Sequence, residues 1–217
     1  DPFTEATGIK INTVSPVSFA KLAQQVKTGI YEFDVTTLGG GDIVRANQAG
    51  LLEDIDAPYE DGLFMNGVGS HAFATKLAWR TDTNWDGTPE SWADFWDVER
   101  VPGARSLQRY AARVLPLALL ADGVAKEDLY PLDIERAFSK LDEIKEHIRV
   151  WWTGGSQSTQ ILRDGEVDMI GIWHGRYYEA LDAGAPVAAT WNQAEIDRAY
   201  WVVAKDTPNM GAANEFV

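Results

Sequence analysis

Carboxylates and tryptophans are the side chains with which this 217-residue chain could do chemistry. Three groups of acids stand close in sequence: Glu53-Asp54, Asp164/Glu166/Asp168 and Glu195/Asp197. Paired carboxylates can act as general acid and base, or hold a divalent cation. Glu166 and Asp168 alternate with strand spacing and share one face, as metal ligands would, although a solvated turn is the better reading. None of the three groups comes with an acid–base partner, and an acidic chain collects such pairs by chance. The absence of cysteine removes thiolate catalysis, disulfides and Cys-based zinc sites, and His71, His147 and His174 are too few for a histidine-rich metal centre. The residues therefore predict no catalytic group, metal or cofactor. What remains is recognition, because nine tryptophans occur in a hydrophilic chain, several of them at loop and strand ends. Aromatic rings supply desolvated contact to a small ligand and favourable faces for a cation, while a few polar groups orient it.

Those rings need elements to hold them. Thr88–Asp97, TPESWADFWD, reads as a helix with Thr88 as cap and Pro89 in its first turn, and it places Trp92 and Trp96 on one face. That spacing describes a packed, structural stripe. Met169-Ile170-Gly171-Ile172 reads as a buried strand (Val167 to Trp173) ending at Trp173, with polar, flexible His174-Gly175-Arg176 beyond it. Trp173 thus falls at a strand's carboxyl end, where open α/β sheets bind ligands. Trp151 and Trp152 are adjacent and point opposite ways, so at most one is functional. Leu38-Gly39-Gly40-Gly41-Asp42 follows a strand and opens a helix. Its amides could bind an anion, with Thr37 and Gly39 lining the site; a tight turn capped by Asp42 fits as well. It has neither the Lys-Ser/Thr of a phosphate loop nor dinucleotide-motif spacing.

Around these landmarks the pattern alternates strand and helix. Gly8 ends a helix, Ile9–Val14 alternates as a strand, and Pro16–Lys27 has helical spacing. Tyr31–Leu38 reads as a strand and Asp42–Leu52 as a helix, an order that implies a parallel sheet covered by helices. Leu63–Trp79 reads as a Gly-broken loop and a strand, and Arg80–Gly87 as polar turns. Helices are expected over Ser106–Asp122, kinked or broken at Pro116, over Asp133–Val150 with an Asp133 cap, and over Ser156–Asp164. Val187–Trp191 and Tyr200–Ala204 read as strands and Gly211–Val217 as a helix.

The length allows one large domain or two small ones. A net charge of −14 disfavours nucleic acid and anionic membrane, and its simplest meaning is solubility. No apolar run approaches the roughly 20 residues a bilayer span needs, so no direct membrane insertion is predicted. The chain opens mid-pattern at Asp1-Pro2-Phe3, and any export signal is expected to lie outside it.

Taken together, DPFTEATGIKINTV, SWADFWD, ALLADGV with LYPLD, LDEIKEHIRVWWTGGSQSTQILRDGEVDM, IWHGRYYEALDAGAPV and WVVAKDTPN run through nearly the whole chain in one order. In this the chain resembles the extracellular solute-binding proteins of bacterial ABC importers, most of all the spermidine/putrescine-binding branch. The resemblance implies an α/β, type II periplasmic-binding-protein fold of two lobes, each a mostly parallel sheet flanked by helices, with a ligand cleft between them. Lobe 1 would comprise residues 1–80 and 199–217, and lobe 2 residues 81–198. Family members begin with a further strand and most of a helix, and they continue past the position of Val217. The chain is thus expected to be truncated at both ends, with an incomplete first lobe able to self-associate.

On that resemblance Trp173 matches a cleft tryptophan of the polyamine branch, and Ser70 and His71 match a cleft-facing crossing segment. Arg105 and Ser106 would start a helix in the second lobe, either solvated at the surface or facing the cleft, where an arginine suits a carboxylate or phosphate better than a polyamine. Gln157 lies at another helix start with Ser156 and Ser158. Asp197 and Tyr200 lie where the chain returns to the first lobe, although Ala199 occupies the expected carboxylate position. The function implied is a periplasmic or extracellular binding component that captures a small polar solute, a polyamine-like amine first, and hands it to a membrane permease. A carboxylate-bearing solute is the first alternative. A metal-dependent hydrolase and an interaction module are readings of other classes.

Overall fold

The computed structural model describes residues 1–15, 17–55, 66–85 and 87–217. Pro16 at the start of an expected helix, residues 63–65 of the expected loop, and Asp86 in the polar turns lie outside the described residues. The chain divides into unit 1, Asp1–Ala72 with Asp197–Val217, and unit 2, Phe73–Ile196. Both divisions fall inside long strands, β2 (Val68–Arg80) and β6 (Val187–Val203).

Unit 1 begins with α1 (Pro2–Thr7), where the Asp1 carboxylate accepts the Phe3 N–H at 3.1 Å. Ile9–Val14, expected as a strand, is irregular and mostly exposed. Alternation alone leaves a strand's amides unpaired, and none of the described strands pairs with it. Ser18 caps α2 (Phe19–Thr28) through the Lys21 N–H. β1 (Val35–Gly39) runs antiparallel to the end of β6, from Val35↔Val203 to Gly39↔Ala199. α3 (Gly40–Gln48) follows with Gly39 in the cap position; Asp42 pairs with Arg45 rather than capping. Alternate residues of the ladder feed two cores. Leu38 and Val202 join Leu22, Ile43 and Ala46, while Val203 joins Ile55 and Ala213 of α9 (Met210–Phe216).

Unit 2 holds α4 (Trp92–Trp96), β3 (Arg105–Gln108), α5 (Ala111–Ala121), α6 (Ile134–Ile144), β4 (Ile148–Trp152), α7 (Gly155–Arg163), β5 (Met169–Trp173) and α8 (His174–Asp182). β3 pairs parallel with both β4 and β5, and β2 pairs antiparallel with β5, so the sheet is mixed. On one face Leu77, Trp79, Leu107 and Met169 pack with α4, α5 and α6; on the other Ala78, Ile170 and Ile172 pack with α7 and α8. The sandwich of sheet between helices is an α/β arrangement.

Five expectations change here. Ser106–Gln108 is strand, not helix, and α5 passes through Pro116 unbroken because Val114–Leu120 are buried along its length. The Asp133-capped helix stops at Ile144, and Ile148–Trp152, rich in β-branched and aromatic residues, forms β4. The segment after Trp173 is a helix rather than a flexible turn. α4 starts at Trp92, not Pro89: the Asp94 carboxylate accepts the Glu90 and Ser91 N–H groups at 2.7 and 2.8 Å.

Candidate functional site

Because β3, β4 and β5 are parallel, their carboxyl ends form one edge of the unit 2 sheet, and this edge carries Gln108, Trp152 and Trp173. Trp173 is half-buried and stands edge-on to Trp152, with centroids 5.2 Å apart, and to Phe73 of β2, 5.7 Å apart. Trp152 is fully buried and anchored by its indole N–H to the Gly171 carbonyl at 3.0 Å. Trp151 packs toward the opposite helical layer, so the adjacent pair splits between faces.

Onto this wall α5 brings Arg113. Its guanidinium carbon lies 5.0 Å from the Phe73 ring centre, and its Nη1 lies 3.8 Å from Oε1 of Glu195 on β6. Both side chains are largely sheltered, with 12% and 18% exposure, so their opposite charges interact through less water than a surface pair would. Among the described residues, Trp173 Nε1, Gln108 Oε1 and Thr75 Oγ1 are buried without a hydrogen-bond partner. Thr75 is the cross-strand partner of Trp173, and Gln108 that of Trp152, so all three belong to the same edge. Buried polar groups are almost always satisfied, and donors and acceptors left open around an aromatic wall are suited to a polar guest.

Behind the wall, Lys76 is 2% exposed and its ammonium sits over the rings of Trp191 (4.1 Å), Tyr177 (4.8 Å) and Tyr178 (5.4 Å). Burial lowers its pKa from the usual lysine value. Desolvation, followed by the neighbouring Tyr178, raises that of Tyr177.

Arg105 is placed elsewhere. It is 1% exposed, and its guanidinium donates to the carbonyls of Phe95 (2.6 Å), Gly103 (2.7 Å), Asp97 (3.3 Å) and Val101. Burial lowers its pKa to about 10, against the pull of Asp168 and Asp97. Four of its five donors are committed to main chain, so it ties the α4–β3 connection together. Ser106 is fully buried and donates to the Val150 carbonyl at 2.6 Å. Gln157 is exposed in the first turns of α7, its amide oxygen accepting the Thr153 N–H at 2.9 Å.

The remaining candidates belong to unit 1. Thr37 and Gly39 end β1, Tyr200 is the partner of Leu38, and Asp197 lies beside the start of α3. A Cβ on Gly40 would stand 3.0 Å from Asp197 Oδ1. The positive end of α3 thus faces an internal carboxylate where an anion had been considered. Ser70 and His71 are neighbours on β2, with Oγ and Nδ1 2.9 Å apart. Trp92 and Trp96 are buried and bonded to the Gln193 and Lys140 carbonyls. Asp168 accepts the Ala104 N–H at 2.7 Å. Among the described residues, no three metal-ligating side chains converge, and no helix is long and apolar enough to cross a membrane.

Phe73, Gln108, Arg113 and Lys76 escaped sequence reasoning. Arg113 left one signal: it is a lone charge near the start of an otherwise apolar helix, AARVLPLALLA.

The α/β fold is that of the two-lobed periplasmic binding proteins. The chain belongs to the family of bacterial extracellular solute-binding proteins, whose model matches residues 1–217. It is 37% identical over 210 residues to the gamma-aminobutyric acid-binding protein of Pseudomonas aeruginosa, covering 91% of this chain and 59% of that protein. It is 24% identical over 221 residues to the spermidine/putrescine-binding periplasmic protein of Escherichia coli, covering 88% of this chain and 59% of that protein. The crystal structure of an ABC transporter substrate-binding protein from Bradyrhizobium japonicum is 39% identical, with a TM-score of 0.88 over 99% of this chain and 70% of that one. The chain therefore spans about three-fifths of the length of the curated relatives it matches.

Proposed function

We propose that this protein is the periplasmic substrate-binding component of an ABC importer, and that its solute is a small amino acid-like zwitterion with a carboxylate and an ammonium at separate ends. The observation that carries this is Arg113, sheltered on the Phe73 ring beside Glu195. Guanidinium is built for bidentate carboxylate recognition, and a glutamate alongside it suits an ammonium. The Trp173 indole N–H adds a donor for the carboxylate, and Gln108 Oε1 an acceptor for the ammonium. A polyamine would set like charge against Arg113 and leave that N–H without an acceptor. This ordering reverses the sequence-based preference, which rested on the resemblance to the polyamine branch. The 37% identity to a protein that binds gamma-aminobutyric acid supports it. The reading is of a binder that leaves its guest unchanged.

The test is a titration of intrinsic tryptophan fluorescence, with calorimetry, against 4-aminobutyrate, other ω-amino acids, putrescine, spermidine and small dicarboxylates. Saturable binding of the ω-amino acids alone is expected. Tight binding of putrescine that survives Arg113→Leu would overturn the assignment in favour of an amine receptor.

A further inference from the structure

We propose that His174 is a proton-sensitive positioning residue: its neutral ring holds Trp173 against Phe73, and protonation loosens that wall and releases the solute. The inference rests on the reading of the Phe73–Trp173–Arg113 cluster as the solute site and adds a control to it.

The geometry begins with a ladder that runs out. β2 and β5 pair from Trp79↔Met169 to Thr75↔Trp173, after which the chain turns into α8. The N–H of Ala74, the next residue of β2, lies beyond that last pair, and Ala74 is 4% exposed. His174 takes over: its Nδ1 accepts the Ala74 N–H at 3.1 Å. Ala74 follows Phe73 and His174 follows Trp173, so one hydrogen bond joins the two backbones that carry the ring pair, whose centroids are 5.7 Å apart. The acceptor must be an unprotonated nitrogen. A proton on Nδ1 would set N–H against N–H and leave a buried amide without an acceptor.

A cation already occupies these surroundings. The His174 ring lies 6.1 Å from that of Trp191, whose face also holds the Lys76 ammonium at 4.1 Å. Lys76 comes from β2, and β6 presents the uncharged Trp191 ring. α8 itself contributes Tyr177, Tyr178 and the Arg176–Glu179 pair, whose Nη1–Oε1 distance is 2.7 Å; α7 meets that pair through the uncharged Thr159 hydroxyl. Glu179 is thus already engaged by a cation. A second positive charge on His174 would share a small aromatic cluster with Lys76.

Histidine exchanges its proton in the range where periplasmic conditions vary, so affinity should be full with the ring neutral and fall as pH drops through that range. Affinity for 4-aminobutyrate is expected to be about tenfold weaker at about pH 5.5 than at about pH 7.5. Both ends of that ligand keep their charge across the interval. In His174→Asn, whose amide oxygen can take the place of Nδ1 and does not titrate, affinity near pH 7.5 should be retained and the pH dependence should flatten. An unchanged pH profile in this variant would overturn the proposal.

An independent readout uses the ligand-free wild-type protein. The NMR signals of the Ala74 amide and the Trp173 indole N–H should titrate together with the His174 ring carbons; Ala74 and Trp173 signals that stay still while the ring titrates would also overturn it. Absence of 4-aminobutyrate binding at either pH would count against the solute assignment instead, and the NMR titration would still decide the role of His174.

Discussion

Two arginines of the same unit, Arg105 buried and Arg113 largely sheltered, differ in what surrounds them. Arg105 spends its guanidinium on four main-chain carbonyls. Arg105→Met keeps the volume but strands these acceptors, and is expected to destabilise unit 2 by about 2–4 kcal/mol, read as a lowered urea midpoint, with ligand affinity near wild type at permissive temperature. Arg113 lies over a ring and beside a carboxylate at 3.8 Å. Arg113→Leu should instead leave the urea midpoint within about 1 kcal/mol and weaken 4-aminobutyrate binding by about a hundredfold or more, measured by calorimetry. Equal effects of the two substitutions on affinity would show that this division of labour is wrong. Trp173 was legible in the sequence because it closes an apolar run and therefore had to lie at a strand end. Arg113 was not, since its floor and its carboxylate come from β2 and β6, distant in sequence.

At the scale of elements, close packing sets what each strand tolerates. Gly171, in the middle of β5, faces the α4 layer: a Cβ there would stand 3.0 Å from Leu107 Cδ2 and 3.3 Å from Trp92 Cη2. Both neighbours are fully buried, and Trp92 is further held by its bond to Gln193. Gly171→Ala is therefore expected to cost about 1–3 kcal/mol by overpacking, measured by urea unfolding. A neutral result would mean that α4 can shift away at little cost. Elements with strong apolar periodicity, α2, α5, β5 and α9, were readable in position if not to the residue. β3, with the sequence Arg-Ser-Leu-Gln, was hidden because its two polar core residues are satisfied by tertiary partners. β4 was absorbed into the preceding helix because the chain passes from α6 to β4 through one 3₁₀ turn, Lys145–His147, with no glycine or proline to mark it.

Across the whole molecule, acidity and ion pairing make stability depend on pH. The Lys205 hydrogen bond holds the Glu53 carboxyl below its ordinary value, despite burial, and Arg80 and Arg136 do the same for Asp82 and Asp122. A carboxylate with a depressed folded-state pKa stabilises the fold above its unfolded pKa, and that contribution disappears as pH falls through the folded one. Thermal stability is therefore expected to be retained from about pH 7 to about pH 5 and to fall steeply below about pH 4. Calorimetric melting across that range checks it, and a melting temperature that stayed flat to about pH 3 would contradict it. Most of these pairs are partly exposed, so salt should blunt the effect.

Hydrophobic period by itself determined the alternation of strand and helix, and the order of the motifs carried the resemblance to the solute-binding family, because those signals are local or are carried by segments in fixed succession. Which side chains come together at the candidate site was decided only by tertiary structure. The wall is built from β2, β4 and β5, its charges come from α5 and β6, and the one arginine marked by the sequence is consumed by backbone carbonyls. Hydrogen-bond demand and desolvation act through space, and they belong to no single stretch of sequence.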